Sequence, residues 1–326
     1  MKVWTLVSSA IGAGFTLWLL SAYGFERILS LVAMAGWAIP AVAAFHVTQI
    51  VASGCGWRMA TREDARRLRG RSYYLFRWIR EAINNLLPAA QFGGVVVGTR
   101  LIARRGVPLP SAIAGAIVDT TLEFVSQIAF TLLGLGLLFL GPADRSATHF
   151  ALVAFLVIGA LGVGLLAAQW FGLAKLIELA AEKLGKAWGR PGPNATKGLH
   201  HEIMALYRAP RRILGGLFFH FAAWVLGGFE IYISLSALGH GSSILACMVI
   251  EAFGQALKSA GFAVPASLGV QEGGYVLAGA VFGLPPETGI ALSLIKRLRD
   301  IVLGLPALAV WHRLEAEPHV ADAPSP

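Results

Sequence analysis

Two stretches restrict this chain more than anything else in it. Residues 77–94 read RWIREAINNLLPAAQFGG and residues 258–274 read KSAGFAVPASLGVQEGG, each set in long apolar sequence. Both follow one recipe of cations, amides, a proline and a closing Gly-Gly. An unpaired charge or amide of this kind costs on the order of several kcal/mol in hydrocarbon. Proline and glycine also break a helix there, which is tolerated only where protein or a wet cavity covers the freed backbone groups. The pair predicts two interrupted segments that face each other near mid-membrane and form a polar path.

Composition supplies the membrane. The chain has 326 residues, 56% hydrophobic and 14% charged, with mean hydropathy +0.67, whereas a soluble domain carries about 25% charged residues. At about 20 residues per crossing, the apolar runs provide about six full spans besides the two broken segments. The expected fold class is all-α: a polytopic membrane helix bundle with two re-entrant half-helix hairpins in an inverted repeat. Residues 1–313 read as one integral membrane domain and residues 314–326 as a disordered tail. Residues 3–24 and 29–54 read as an opening pair of spans, and 150–170 as a later one.

The net charge of +9 does not point to nucleic acid. The basic residues lie beside apolar runs, and neither zinc-finger spacing nor an RNA-binding aromatic signature is present. Eight arginines between residues 58 and 80, against Glu63 and Asp64, mark loop 57–80 as cytoplasmic, and Arg100, Arg104 and Arg105 mark that side again. Residues 171–188 are amphipathic and suit a helix lying in the inner interface, continued by a polar loop to residue 212.

The candidate path residues follow from position. Arg77 and Arg80 lie three apart on one helical face and, with Glu81, border the Asn84, Asn85 and Pro88 interruption. Gln91, Gly93 and Gly94 complete the first box, and Lys258, Pro265, Gln271 and Glu272 form the second. Asp119 and Glu123 share a face of a long helix running to residue 140. No further ligand stands near them to complete a metal site, so they are expected to pair with arginines such as Arg80 or Arg100. Glu251, Gln255 and Lys258 fall on one helical side and read as an internal Glu–Lys pair, while Glu230 shares an apolar span with His220. Lys296 is expected to neutralise Asp300, leaving Arg297 and Arg299 to find anions. His200, His201 and Glu202 read as solvated loop, and Cys55 and Cys247 as packing residues. No metal or cofactor is expected, and there is no GxxxxGK[ST] nucleotide loop.

Taken in order, Asn84-Asn85-Leu86-Leu87-Pro88 with Gly93-Gly94, Arg100 to Pro108, Val118-Asp119, and Val264 to Gly274 resemble the membrane domain of lysylphosphatidylglycerol synthases and their flippase-like relatives. The stretch from Trp78 to Pro88 is most similar to the hopanoid-biosynthesis-associated (HpnL-type) members. The resemblance spans roughly residues 1 to 313. It implies a bacterial inner-membrane protein that moves a hopanoid or phospholipid, while the arginine-rich loops put both termini of the multi-pass chain in the cytoplasm. It also leaves room for a homo-oligomer or a downstream lipid-transfer partner. Where the family box commonly continues with an acid after Gly93-Gly94, this chain has Val95, so a carboxylate role is not expected there. The synthase's aminoacyl-transfer domain would follow the last span and is not expected, so synthase activity is not expected either. A membrane-embedded enzyme using Glu272 or Asp119 as general base, and a non-catalytic scaffold, stay open beside the translocator.

Overall fold

The computed structural model describes residues 36–62, 68–87, 93–140, 198–260 and 269–316, with isolated positions at Glu26, Ser30, Val32, Ala33 and Ser267. The expected spans at 3–24 and 150–170, the interfacial helix, Pro88, Gln91, Pro265 and residues 317–326 lie outside the described residues.

Nine helices are described: α1 (Ala38–Met59), α2 (Gly70–Leu86), α3 (Gly93–Arg104), α4 (Leu109–Leu140), α5 (Leu199–Tyr207), α6 (Pro210–Ala237), α7 (Ile244–Ala260), α8 (Val270–Ala280) and α9 (Pro286–Ala316). No strand occurs among the described residues. Three helices, α1, α4 and α6, are long and apolar enough to cross a bilayer. α9 is equally long but carries Lys296, Arg297, Arg299 and Asp300 in its middle. Those charges are tolerated because protein rather than lipid surrounds them.

The two broken segments fold as hairpins of short helices. α2 has 17 residues and α3 has 12, about 26 and 18 Å at helical rise against a hydrocarbon core of about 30 Å. α2 stops where its sequence requires it: Leu87, before Pro88, is already extended at φ −103° and ψ 144°. α3 then packs back on α2. A Cβ on Gly94 would collide with the Arg80 carbonyl oxygen, so only glycine lets the two backbones approach this closely. The second hairpin repeats the device, with 17 residues in α7, 11 in α8, and Gly254 of α7 lying beneath the Tyr275 ring of α8.

The halves correspond helix by helix. α1 to α4 run 22, 17, 12 and 32 residues, and α6 to α9 run 28, 17, 11 and 31. The packing corresponds as well: α4 leans on α7 of the other half, and α9 leans on α2. The two halves are inverted. Arg212 at the start of α6 donates to the Thr61 carbonyl just past the end of α1 at 2.6 Å, so these helices are antiparallel. Arg100 and Arg104 of α3 both reach Glu315 near the end of α9 at 3.1 Å. At the opposite end, Thr288 of α9 meets His240, beyond α6, at 2.9 Å. The first hairpin therefore starts and ends at the arginine-rich end of the bundle, and the second at the other end.

Two apolar cores separate these ends. Trp57, Tyr73, Phe76, Leu101 and Ile102, with Trp311 and Leu314 against them, fill the arginine-rich end. Val42, Ile231, Leu235, Ile250 and Leu292 fill the other. Outside, Leu214, Phe218, Leu305 and Leu132 are well exposed, a surface suited to lipid rather than water.

Two local expectations are corrected. Residues 199–207, expected as solvated loop, form α5, because Leu199, Ile203 and Leu206 make an apolar stripe that packs on Ala60, Val118 and Leu122. Glu202 is held there by Ser111 at 2.8 Å and Arg62 at 3.4 Å. Residues 314–316, expected in the tail, continue α9, with Glu315 tied to Arg100 and Arg104.

Candidate functional site

Between the two apolar cores lies a polar cavity of about 270 Å³. Both hairpin tips reach it: Asn84, Asn85 and Val95 from the first, Lys258 and Ser259 from the second. Eight charged side chains line it, namely Arg77, Arg80, Glu81, Glu123, Glu251, Lys258, Lys296 and Arg299. Ionisable groups at membrane depth are rare and mark pathways by default.

On the first hairpin's side, the cations sit on α2 and the acids on α4. Arg77 forms a two-pronged bridge to Glu123, one prong at 2.8 Å. Arg80 bonds Asp119 at 2.6 Å, Glu123 at 3.1 Å and Thr120 at 3.2 Å, with its guanidinium 5.6 Å from the centre of the Trp57 ring. His220 of α6 takes the other Asp119 oxygen at 2.9 Å. The expected pairing of Asp119 with Arg80 is therefore present. Arg100 takes no part, since it lies at the arginine-rich end with Glu315.

On the second side the signs are exchanged, with acids on α6 and α7 and cations on α9. Lys296 meets both Glu251 oxygens at 2.8 Å, and Tyr275 donates to Glu251 at 2.9 Å. Arg299 bonds Glu230 and Asp300. This replaces two expected pairings. Glu251 takes Lys296 of α9 instead of Lys258, and Asp300 neutralises Arg299 instead of Lys296. The reason is packing: α9 presents Lys296 toward α7, where the facing carboxylate outcompetes one on its own helix. Among the described residues Lys258 has no carboxylate within ion-pair distance, although it lines the cavity.

The second box divides. Glu272 is fully buried and accepts from Arg297 Nε at 2.5 Å. Gln271 is also buried, and none of these three residues borders the cavity. Gly93 and Gly94 serve the hairpin turn, where Gly94 N–H donates to Asn84 Oδ1 at 2.9 Å.

Sequence reasoning missed the α1 contribution. His46, Gln49 and Ser53 line the cavity, and their i, i+3, i+7 spacing places them on one face of an otherwise apolar helix. That stripe is visible in the sequence. Gln127 was also missed, and it bonds Ser259 on the second hairpin at 2.6 Å.

Glu123, Glu230 and Glu251 are bridged to Arg or Lys, and among the described residues no group of three His, Cys, Asp or Glu side chains is arranged to hold a metal ion. The arrangement provides hydrogen bonds of both polarities within a helical shell. Its volume is just under the roughly 300–1,000 Å³ of sites that enclose drug-sized molecules. It suits a polar group, with any bulky apolar portion left outside.

A multi-pass helical membrane protein with two opposed hairpins is the class these features define. Residues 5–307 match the family described as the lysylphosphatidylglycerol synthase TM region, and the chain belongs to that family. The match takes in both hairpins and every cavity residue. Neither the curated proteins nor the solved structures yield a match.

Proposed function

We propose that the protein is a lipid translocator that passes a polar head group through the cavity while the apolar portion stays in the bilayer, without chemical change to the lipid. The observation that carries this reading is Lys258, a lysine at the second hairpin's tip that lines the cavity and makes no salt bridge among the described residues. The neighbouring ion pairs supply further donors and acceptors. A phosphate-bearing phospholipid matches this chemistry, and a hopanoid with a polar tail is the other substrate the family resemblance suggests. The description of the family, a lysylphosphatidylglycerol synthase TM region, supports lipid as the substrate class. In this reading the protein sits in the bacterial inner membrane with its arginine-rich end in the cytoplasm.

The test is reconstitution into liposomes containing fluorescent phosphatidylglycerol or a fluorescent hopanoid. Reduction by external dithionite reports movement between leaflets, and mass spectrometry follows lipid identity. Protein-dependent exchange with unchanged lipid mass is expected. Altered mass would establish an enzyme, and no exchange with either lipid would overturn translocation.

A further inference from the structure

His46, on α1, is buried between two carboxylates from different helices. Its Nε2 lies 2.5 Å from Glu81 on α2, and its Nδ1 lies 3.0 Å from Glu230 on α6. A neutral imidazole has one N–H and one lone pair, so it can donate to only one of them. The remaining lone pair would face a carboxylate oxygen at hydrogen-bond distance. Both contacts are favourable when both ring nitrogens are protonated, or when one carboxyl carries the extra proton.

The surroundings differ at the two ends of this trio. Glu230 is fully buried, bonded by Arg299 of α9 and by Gln49 of α1 at 2.6 Å, with Lys296 of α9 at 3.8 Å. Arg299 Nη1 also lies 3.1 Å from His46 Nδ1. Arg77, the nearest cation on α2, is committed to Glu123 of α4. Glu81 is partner to His46 and is the carboxylate of the trio that lines the cavity, with 24% of its side chain exposed. Beyond Glu230, Lys296 and Glu251 continue the line of ionisable groups to Tyr275 on α8, so it touches both hairpins.

We propose that Glu81, His46 and Glu230 form a proton-binding site that couples lipid movement to proton movement. The coupling half of this inference rests on the translocator reading. Release passes the Nε2 proton to Glu81 and then to cavity water, leaving a neutral ring with Nδ1–H on Glu230. Nε2 and an ionised Glu81 are then two acceptors facing each other at 2.5 Å. That contact must open, which frees α2 of the first hairpin from α1 at this point. Loading reverses each step.

Two measurements test it. In histidine-labelled protein, ¹⁵N spectra at a pH where free histidine is neutral should show a doubly protonated ring that disappears in His46→Gln. If the proton rests on a carboxyl, an infrared band of a protonated acid should disappear in Glu81→Gln instead. A neutral ring accepting at Nδ1 from Arg299, with no such band, overturns the site. In proteoliposomes with internal pyranine and fluorescent phosphatidylglycerol, one proton per lipid should build a leaflet asymmetry of about tenfold per unit of pH gradient. Internal pH should shift with it, and His46→Gln should lose the response. Wild-type protein that exchanges lipid without either response overturns the coupling and leaves translocation standing. If wild-type protein exchanges no lipid, translocation fails, and the spectra still decide whether the proton site exists.

Discussion

Arg80 and Asp119, 39 residues apart in sequence, meet at 2.6 Å with 4% and 0% of their side chains exposed. Removing one member leaves its partner under-compensated in a low-dielectric interior, Arg80 with Glu123 alone or Asp119 with His220 alone, whereas removing both leaves neither. Asp119→Ala, which also deprives His220 of its acceptor, should lose roughly 3–5 kcal/mol of stability. The double variant Arg80→Ala/Asp119→Ala should lose less than the sum of the single losses, by at least about 1 kcal/mol. Thermal unfolding in detergent, followed by tryptophan fluorescence, measures all three, and simple additivity would mean that the two side chains do not act as a pair.

Gly94 and Gly136 make a matched comparison. A methyl group on Gly94 collides with the Arg80 carbonyl oxygen, while one on Gly136 meets nothing within 4 Å. Gly94→Ala should therefore lower stability by about 1–3 kcal/mol through forced separation of α2 and α3. Gly136→Ala, in an exposed helix interior, should be neutral or raise it by up to about 1 kcal/mol. Equal melting temperatures for the two variants would contradict the close approach.

The inverted hairpins fix a labelling pattern. With Cys55 and Cys247 replaced, Arg105→Cys beyond α3 and Gly241→Cys before α7 should react with impermeant maleimide from opposite sides of the membrane. Reaction of both from one side in intact spheroplasts would remove the inversion. If the arginine-rich end is cytoplasmic, Gly241→Cys is the position that reacts from outside.

Lys258 and Lys296 line the same cavity, but Lys296 meets Glu251 at 2.8 Å. Lys258→Ala should slow exchange of labelled phosphatidylglycerol by about 10- to 100-fold, the worth of one hydrogen bond to a charged group. Its melting temperature should stay at the wild-type value. Lys296→Ala should lower both readings, because Glu251 loses its cation. Wild-type exchange in Lys258→Ala would remove this lysine from the path.

The hairpins were legible in sequence because proline, paired glycines and charges have little other use inside apolar runs. The Asp119–Arg80 pair was legible as one of two choices, since an i, i+4 couple of acids on a membrane helix needs cations and Arg80 and Arg100 both stood on the preceding helices; packing selects Arg80. Partner choice in the second half was not legible. Lys296 and Asp300 satisfy each other on a helical wheel, yet Lys296 goes to Glu251, 45 residues away. Nothing in the local pattern says which neighbour a helix face will meet. The same limit placed Gln271 and Glu272 on the path by analogy with the first box, and Arg297 there as a cation left over by the expected Lys296–Asp300 pair, while α8 and α9 hold all three away from the cavity. His46 escaped notice because a lone histidine in an apolar run attracts none until Gln49 and Ser53 are read along the same face.

The crossed bracing, α4 against α7 and α9 against α2, has a consequence for biogenesis. As the ribosome delivers the chain, the first hairpin emerges long before the helix that flanks it. Three acids, Glu230, Glu251 and Glu272, must wait for the cations of α9, which is synthesised last of the nine helices. Until that helix threads into place, the nascent protein keeps an unsealed, charged cleft. Its final insertion closes both hairpins in a single late step.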